Sequence, residues 1–489
     1  MISSSFERSE NKEELQRQMN YLNKAKDHTL QLESILGRVP TFHVYNYGCQ
    51  MNARDAEKLS GVLTQAGYKE TKEDNADFVI FNTCTVRDNA DQHFYGNLGI
   101  ASHYKKANPL MKIAVCGCLS QEKETVEKLR RSYPCVDLIF GTYNLFCFPE
   151  YLCLLYEDEK GDFTVSHPRM TVIWDKTDEV VEGLPTKRKY SFKSGVNIMY
   201  GCDNYCTYCI VPYVRGHERS REKDDIIHEC RKLAGEGVVE VMLLGQNVDT
   251  YGRGLEHSCS FAELLEEIAG IDGIRRIRFM TPHPKDISED VLLVMQKNPK
   301  IARQVHFPLQ SGSNRILRKM NRQYTKEQYI ERAAMIRDIV PDAAITTDII
   351  AGFPGETKED VDDTIDVIEK VQFESAYTFI YSPRRGTPAA KMEPLSKEEV
   401  QDNFNRILEV VRNVSSRQAK KHTGTIECAL AEEVDPQDKS RISCRLSNNY
   451  IVHVQGDASM IGKFYQVRLD TCKNFYFLGE ALEENRRGW

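Results

Sequence analysis

The stretch MYGCDNYCTYCIVPYVRG, residues 199–216, holds three of the chain's fifteen cysteines at fixed offsets: Cys202, Cys206 and Cys209. A C-x3-C-x2-C loop brings three thiolates close together, and soft thiolate is the ligand that iron–sulfur clusters and zinc select. Three ligands leave such a site one short of closure. Structural zinc takes four protein ligands, and the one nearby supplement, His217, stands at a spacing that fits no common finger. An iron–sulfur cube with one iron left free fits better.

The same spacing resembles the signature of the radical S-adenosylmethionine (SAM) enzymes, and Tyr205, Tyr208, Pro212, Arg215 and Gly216 also match family positions. That resemblance implies an open iron that chelates the amino and carboxylate groups of SAM. The reduced cluster would then cleave SAM to a 5′-deoxyadenosyl radical. A zinc knuckle is the alternative.

Outward from this loop, 489 residues suffice for two to four domains. With 41% hydrophobic and 28% charged residues the composition is that of an ordinary globular protein. No apolar run approaches the ~18 residues that cross a bilayer. The N-terminus MISSSFERSENKEELQRQMN lacks an apolar signal region, so a cytoplasmic protein without a membrane partner is expected. In that reducing compartment clustered cysteines read as metal ligands, and singletons such as Cys135, Cys147, Cys153, Cys230 and Cys259 as small buried hydrophobes. The net charge of −7 argues against non-specific coating of nucleic acid. Residues 187–223, however, carry eight Lys or Arg against three acids, an excess that suits a phosphate backbone or a solvated face.

Residues 1–40 read as a polar, helix-prone N-terminal extension. From there strands and helices alternate: strands at 41–47, 77–83, 112–117 and 136–142, with helices between. This pattern predicts a doubly wound parallel sheet over 41–155. Three cysteines follow three successive strands: Cys49 in YGCQMN, Cys84 in NTCTVRD and Cys118 in CGCLSQ. Carboxyl ends of parallel strands share one edge, where ligands bind, so these three could meet. Cys116 competes with Cys118 but lies inside the predicted strand, and three buried thiols are the plain alternative.

Residues 156–190 are charged and aperiodic and read as a linker. Residues 191–423 follow with six strand-then-helix units, strands near 195–200, 238–245, 275–281, 304–310, 343–351 and 375–381. Six units predict a partial (β/α)6 barrel with its ligands at the strand carboxyl ends. The candidates there are Gln246 and Asn247 after Gly245, Thr281 and His283, Ser311 in PLQSGS, and Asp348. Gln246, Asn247, Ser311 and Asp348 are expected to touch the cofactor. His283 reads more readily as a capped loop residue than as a catalyst. Arg215, Arg219, Arg384 and Arg385 are the candidates for substrate phosphates. After a long helix near 396–420, five short alternating segments over 424–489 predict a small antiparallel β-barrel of the OB-like kind. Its ten acids against eight bases give little electrostatic support for RNA binding. Tyr450, Tyr465, Phe475 and Tyr476 could stack bases or fill the core.

Taken together, residues 40–489 resemble the methylthiotransferase family of radical SAM enzymes. YGCQMN, NTC and GC match the family's N-terminal three-cysteine pattern, and the last barrel resembles its RNA-binding TRAM domain. The GCLSQ segment departs slightly from the more usual GC-x-A-Q. The loop at 200–216, PLQSGS, RRGTPA and YGCQMN stand closest to the branch that makes 2-methylthio-N6-isopentenyladenosine in tRNA. The resemblance implies two [4Fe-4S] clusters, one on Cys202, Cys206 and Cys209 and one on Cys49, Cys84 and Cys118. It implies two molecules of SAM per turnover, a tRNA anticodon stem-loop as substrate, an electron donor such as flavodoxin or ferredoxin, and iron–sulfur assembly machinery as a partner. Threonylcarbamoyl-adenosine in tRNA or a ribosomal-protein aspartate are the alternative substrates. A non-catalytic iron–sulfur RNA-binding protein is the alternative of another class.

Overall fold

The computed structural model describes residues 11–85, 88–158, 160–164, 169–280 and 282–489, and of residues 88–92 the backbone alone. Thr281 lies outside the described residues. No helix among them is long and apolar enough to cross a membrane.

The chain opens with helix Lys12–Leu36, started by Asn11, whose Oδ1 accepts the Glu14 N–H at 2.9 Å, and ended by Gly37 at φ 68°. Its buried stripe of Gln18, Leu22, Ala25, Thr29 and Leu32 recurs every three or four residues. This packs against helix Phe148–Leu154 and one face of the first sheet. The expected surface extension is therefore part of the core.

Six parallel strands follow, in the order Lys69–Glu70, Thr41–Asn46, Phe78–Thr83, Lys112–Gly117, Leu138–Phe140, Met170–Val172. The two central strands are buried at every position, as a sheet covered on both faces requires. Phe78, Ile80, Ala114 and Cys116 face one helical layer, and Val79, Phe81, Ile113 and Val115 face the other. The outer strands are too short to carry a period-two signal, and the last lies in the stretch expected as a linker. That linker also buries Val181, Glu182 and Leu184.

The barrel consists of two parallel three-stranded sheets. One joins Lys193–Asn197, Glu240–Leu244 and Arg276–Phe279; the other joins Gln304–His306, Ala344–Ala351 and Ser375–Ile380. A single parallel bridge, Ile277 to Ile301, links them. Helices cover the outside around one continuous apolar core. A short antiparallel hairpin, Met199–Tyr200 with Arg219–Ser220, was not anticipated; it clamps the ends of the C-x3-C-x2-C loop.

Helix Lys397–Lys420 leads into a closed five-stranded barrel over residues 426–484. Its pairs are antiparallel except Ile451–Gln455 with Tyr476–Glu484, a parallel pair that completes the ring. Tyr450 is in its core, whereas Phe475 and Tyr476 are exposed at a turn. Two buried arginines bolt this barrel to the larger one. Arg276 donates to the Arg445 and Cys428 carbonyls at 2.9 and 3.0 Å, and Arg278 donates to those of Leu446 and Ser447 at 2.6 and 3.1 Å. Arg278 Nε also meets Glu240 at 3.1 Å.

Arg278→Ala strips a buried carboxylate of its nearer partner, removes the side-chain donor to the Ser447 carbonyl and leaves the Leu446 carbonyl with the Asn449 N–H, a loss of about 3–5 kcal/mol. Urea denaturation should show that loss, and limited proteolysis should release the C-terminal barrel first. Unchanged stability would mean that Arg276 suffices.

Candidate active site

The register of the first sheet sets the first cysteine trio. Asn46 stands opposite Asn82, and Thr83 opposite Gly117, so the three chains leave the same edge together. Strands Thr41–Asn46 and Phe78–Thr83 flank the point where strand order reverses, which is where open parallel sheets bind ligands. Cys49 then caps helix Gln50–Gln65, and Cys118 starts a 3-10 turn. Two glycines allow the approach. A Cβ on Gly48 would come within 2.6 Å of Cys84 Cβ, and one on Gly117 within 2.3 Å of the Thr83 carbonyl. Cys116 instead points into the apolar layer with Leu138 and Phe140. Asn52 ties the trio to its helix: its Oδ1 accepts from the Cys49 thiol at 3.3 Å, and its Nδ2 donates to the Thr83 carbonyl at 2.8 Å.

The second trio sits beyond the first barrel strand. The Cys202 N–H donates to the Gly216 carbonyl at 3.0 Å, closing the loop, while the Thr207 N–H donates to the Met320 carbonyl at 3.0 Å. Asn321 Nδ2 donates to the carbonyls of Asn204 and Tyr205. These bonds hold Tyr205 in the left-handed region at φ 45°, with its ring exposed. Polar hydrogens reach the sulfurs. Asn204 Nδ2 donates to Cys202 Sγ at 3.4 Å and Arg322 Nη1 to Cys206 Sγ at 3.5 Å. Burial pushes the Cys118 and Cys209 thiols up to about 12 and that of Cys202 to about 11. Such thiols ionise only when a metal takes the charge. Among the described residues, neither trio draws its sulfurs together within 4.8 Å. Three thiolates are the donor set that an iron–sulfur cube with one open iron takes.

The segments that bear the two trios touch. Cys118 packs against Ile210 and Val214, directly after Cys209, and the Thr142 hydroxyl donates to the Val214 carbonyl. Arg215, expected to meet phosphate, is instead buried in this seam, donating to Asp55 Oδ2 at 2.7 Å. Arg219 is buried too, donating to the Thr177 carbonyl with its guanidinium over the rings of Tyr143 and Tyr200. Much of the basic run is paired within the chain, with Arg215 and Arg221 buried and Lys187 and Lys223 paired at the surface. Six of its eight cations, Lys187, Arg188, Lys193, Arg215, Arg221 and Lys223, form ion pairs within the chain. Arg384 is half-buried, and Arg385 pairs with Glu124 at 2.6 Å on the surface, a contact worth little and easily given up.

At the barrel mouth the expected cofactor residues divide. Gln246 and Asn247 follow strand Glu240–Leu244, and their side-chain oxygens are buried with no hydrogen-bond partner among the described residues. Asn247 Nδ2 donates to Asp286 Oδ2 at 2.9 Å. Asp249, which sequence reasoning passed over although it stands two residues on in GQNVD, accepts the His283 N–H on Oδ2 at 3.0 Å and leaves Oδ1 unpartnered. Burial lifts its carboxyl to about 8. His283 accepts the Lys285 N–H on Nδ1 at 3.2 Å, so Nε2 bears the hydrogen, buried and without partner. Burial and the nearby Arg322 push this imidazole down to about 2, leaving it neutral. These orphaned atoms make a cradle that the polar groups of a bound cofactor would satisfy. On the other half-barrel, Asp348 Oδ2 stands 3.3 Å from His306 Nε2. Ser311 is buried in its turn, accepting the Ser313 N–H at 3.2 Å, and holds the start of helix Asn314–Lys319.

Residues 196–368 match the Radical SAM superfamily, and residues 41–141 match uncharacterized protein family UPF0004. A protein of Lachnoclostridium phytofermentans named tRNA-2-methylthio-N(6)-dimethylallyladenosine synthase is 52% identical over 450 residues, covering 92% of this chain and 97% of its own. One of the same name from Acetivibrio thermocellus is 46% identical over 472 residues, 96% of this chain and 97% of its own. The chain belongs to the radical SAM methylthiotransferase family. Among solved structures, the radical SAM methyltransferase TsrM of Kitasatospora setae shares the fold, with a TM-score of 0.52 and 14% identity over 72% of this chain and 76% of that one.

Free aspartate loses its proton near pH 4, whereas Asp249 in the folded enzyme holds it to about 8. Stability is then fully present below the lower value and falls as pH rises through the upper one. Asp249→Asn removes that titration. Its Tm should decline less than that of the parent between pH 6 and 8, and equal declines would show the carboxyl ionised throughout.

Proposed function

We propose that this methylthiotransferase inserts a methylthio group at C2 of N6-isopentenyladenosine at position 37 of tRNA, next to the anticodon. The observation that carries this reading is the meeting of the two trios, with Cys118 against Ile210 and Val214, in a chain so similar to relatives bearing that name. Cys202, Cys206 and Cys209 would hold one [4Fe-4S] cluster, and Cys49, Cys84 and Cys118 a second. When bound, the clusters and two SAM molecules per turnover supply a carbon radical and the methylthio group, since no side-chain base can remove an unactivated C2 hydrogen.

The chain's own residues do the positioning. Asn204 and Arg322 orient the thiols of Cys202 and Cys206, and Asn52 with the two flanking glycines those of the Cys49, Cys84 and Cys118 site. Gln246, Asn247, Asp249 and His283 offer uncharged polar atoms to SAM, and Asp348 with His306 offers a second polar group across the mouth. The target adenosine must be splayed out of its stack to reach this seam. Phe475 and Tyr476, exposed on the last barrel, and Arg384 and Arg385, which follow the last strand of the larger barrel, would grip the surrounding RNA. A flavodoxin or ferredoxin as electron donor, iron–sulfur assembly proteins as partners and a cytoplasmic location complete the reading. Of the expected domain limits, 41–155, 191–423 and 424–489 joined by 156–190, the first is extended to take in helix Lys12–Leu36 and strand Met170–Val172.

Anaerobically reconstituted enzyme should carry about eight iron atoms, and any of Cys49→Ala, Cys84→Ala or Cys118→Ala about four. Those variants should still cleave SAM to 5′-deoxyadenosine while forming no methylthio nucleoside on tRNA. Mass spectrometry of nucleosides from a deletion strain should show loss of the methylthio-isopentenyl nucleoside alone. Loss of a methylthio-threonylcarbamoyl nucleoside, or of ribosomal-protein modification, would reassign the substrate. Absence of SAM cleavage would reduce the protein to an RNA-binding one.

A further inference from the structure

Arg215 belongs by sequence to the loop of the radical site, six residues past Cys209, yet its guanidinium lies in the other site. Besides Asp55 at 2.7 Å, Nη2 approaches Asn52 Oδ1 at 3.5 Å, the same oxygen that accepts from Cys49 Sγ. Cys49, Asn52 and Asp55 are spaced three apart along the start of helix Gln50–Gln65, so one face presents thiol, amide and carboxylate to this arginine. Its neighbour Val214 packs on Cys118. Arginine and aspartate are each about 6% exposed.

We infer that Arg215 is a positioning residue for the Cys49, Cys84 and Cys118 site, supplied from the radical-site loop to hold that trio and balance the charge of the group it binds. This rests on the second-cluster reading above. The supporting electrostatics agree. The charge of Arg215 opposes burial at Cys118, and the sulfurs of Cys118 and Cys49 both favour the charged arginine. Cys49, Cys118 and Asp55 thus all act on one guanidinium. Both contacts come from Nη2, so a lysine ammonium would keep the charge here but reach Asp55 and Asn52 from a side chain of different length and shape. A cluster's potential follows the net charge around it, so a nearby cation eases addition of an electron and a nearby anion resists it.

The test uses the full chain carrying Cys202→Ala, Cys206→Ala and Cys209→Ala, reconstituted with iron and sulfide, so that only the second site is filled. Its midpoint potential is read by dithionite titration with electron paramagnetic resonance. Arg215→Gln should move the midpoint to more negative values, Arg215→Lys should stay nearer the parent, and Asp55→Asn should move it to more positive values. If Arg215→Gln holds no iron while Arg215→Lys does, the positioning role is supported, and Asp55→Asn still reads the charge. Midpoints unmoved in all three variants, or the same in Arg215→Gln and Arg215→Lys with Asp55→Asn unmoved, would overturn the inference alone. A parent that binds no iron would overturn the second-cluster reading and this inference with it.

Discussion

The buried ion pair between Arg215 and Asp55 is the contact on which the catalytic geometry turns. Such a pair adds little net stability, because both charges lose their water, but separating it leaves a charge stranded in the interior. It therefore acts less as glue than as a register pin. Asp55 lies one and a half turns from Cys49, and Arg215 lies just beyond Cys209, so fixing one residue to the other fixes the two trios. Lys58 with Glu182 at 2.6 Å and Arg54 with Glu229 at 2.9 Å add two more pins between the same helix and the residues around the barrel's first strand. Domains joined this way dock in one register or not at all.

Topology supplies the other half of the constraint. Both the first sheet and the barrel are parallel, so each gathers its loops at one edge, and the active seam forms where the two edges face. The reversal of strand order beside Thr41–Asn46 opens the gap that Cys49 and Cys84 border. Only a residue without Cβ can sit at Gly48 and Gly117, where another chain comes within van der Waals contact.

Much of this was legible because it repeats. Strands such as Phe78–Thr83 are continuous apolar runs, the small barrel alternates, and the cysteines sit at fixed distances from strand ends. The misses have physical causes. Helix Lys12–Leu36 hides its buried face because Gln18 and Thr29 occupy core positions through hydrogen bonds, not apolarity. Lys69–Glu70 and Met170–Val172 are two and three residues long, too short for any period to show. The glycine before Cys49 and before Cys118 was a local signal for close approach that favours Cys118 over Cys116. Arg215 and Arg219 were misplaced because a charge count along the chain is blind to partners far away in sequence, such as Asp55 and Thr177.

The pairing of the basic run within the chain bears on how the proposed RNA substrate would be held. Affinity from phosphate contacts grows with the number of cations free to displace counterions. Six cations of the 187–223 run already neutralise acids of the same chain, and the net charge is −7. A long-range field is then a weak guide for an anionic ligand. Short-range contacts must carry more of the load. The exposed rings of Tyr205, Tyr213, Phe475 and Tyr476 can each stack an unpaired base, a contact worth about 1–3 kcal/mol that salt does not screen. An enzyme built this way would select loops with bases free to turn outward, which is also the geometry its buried chemistry demands.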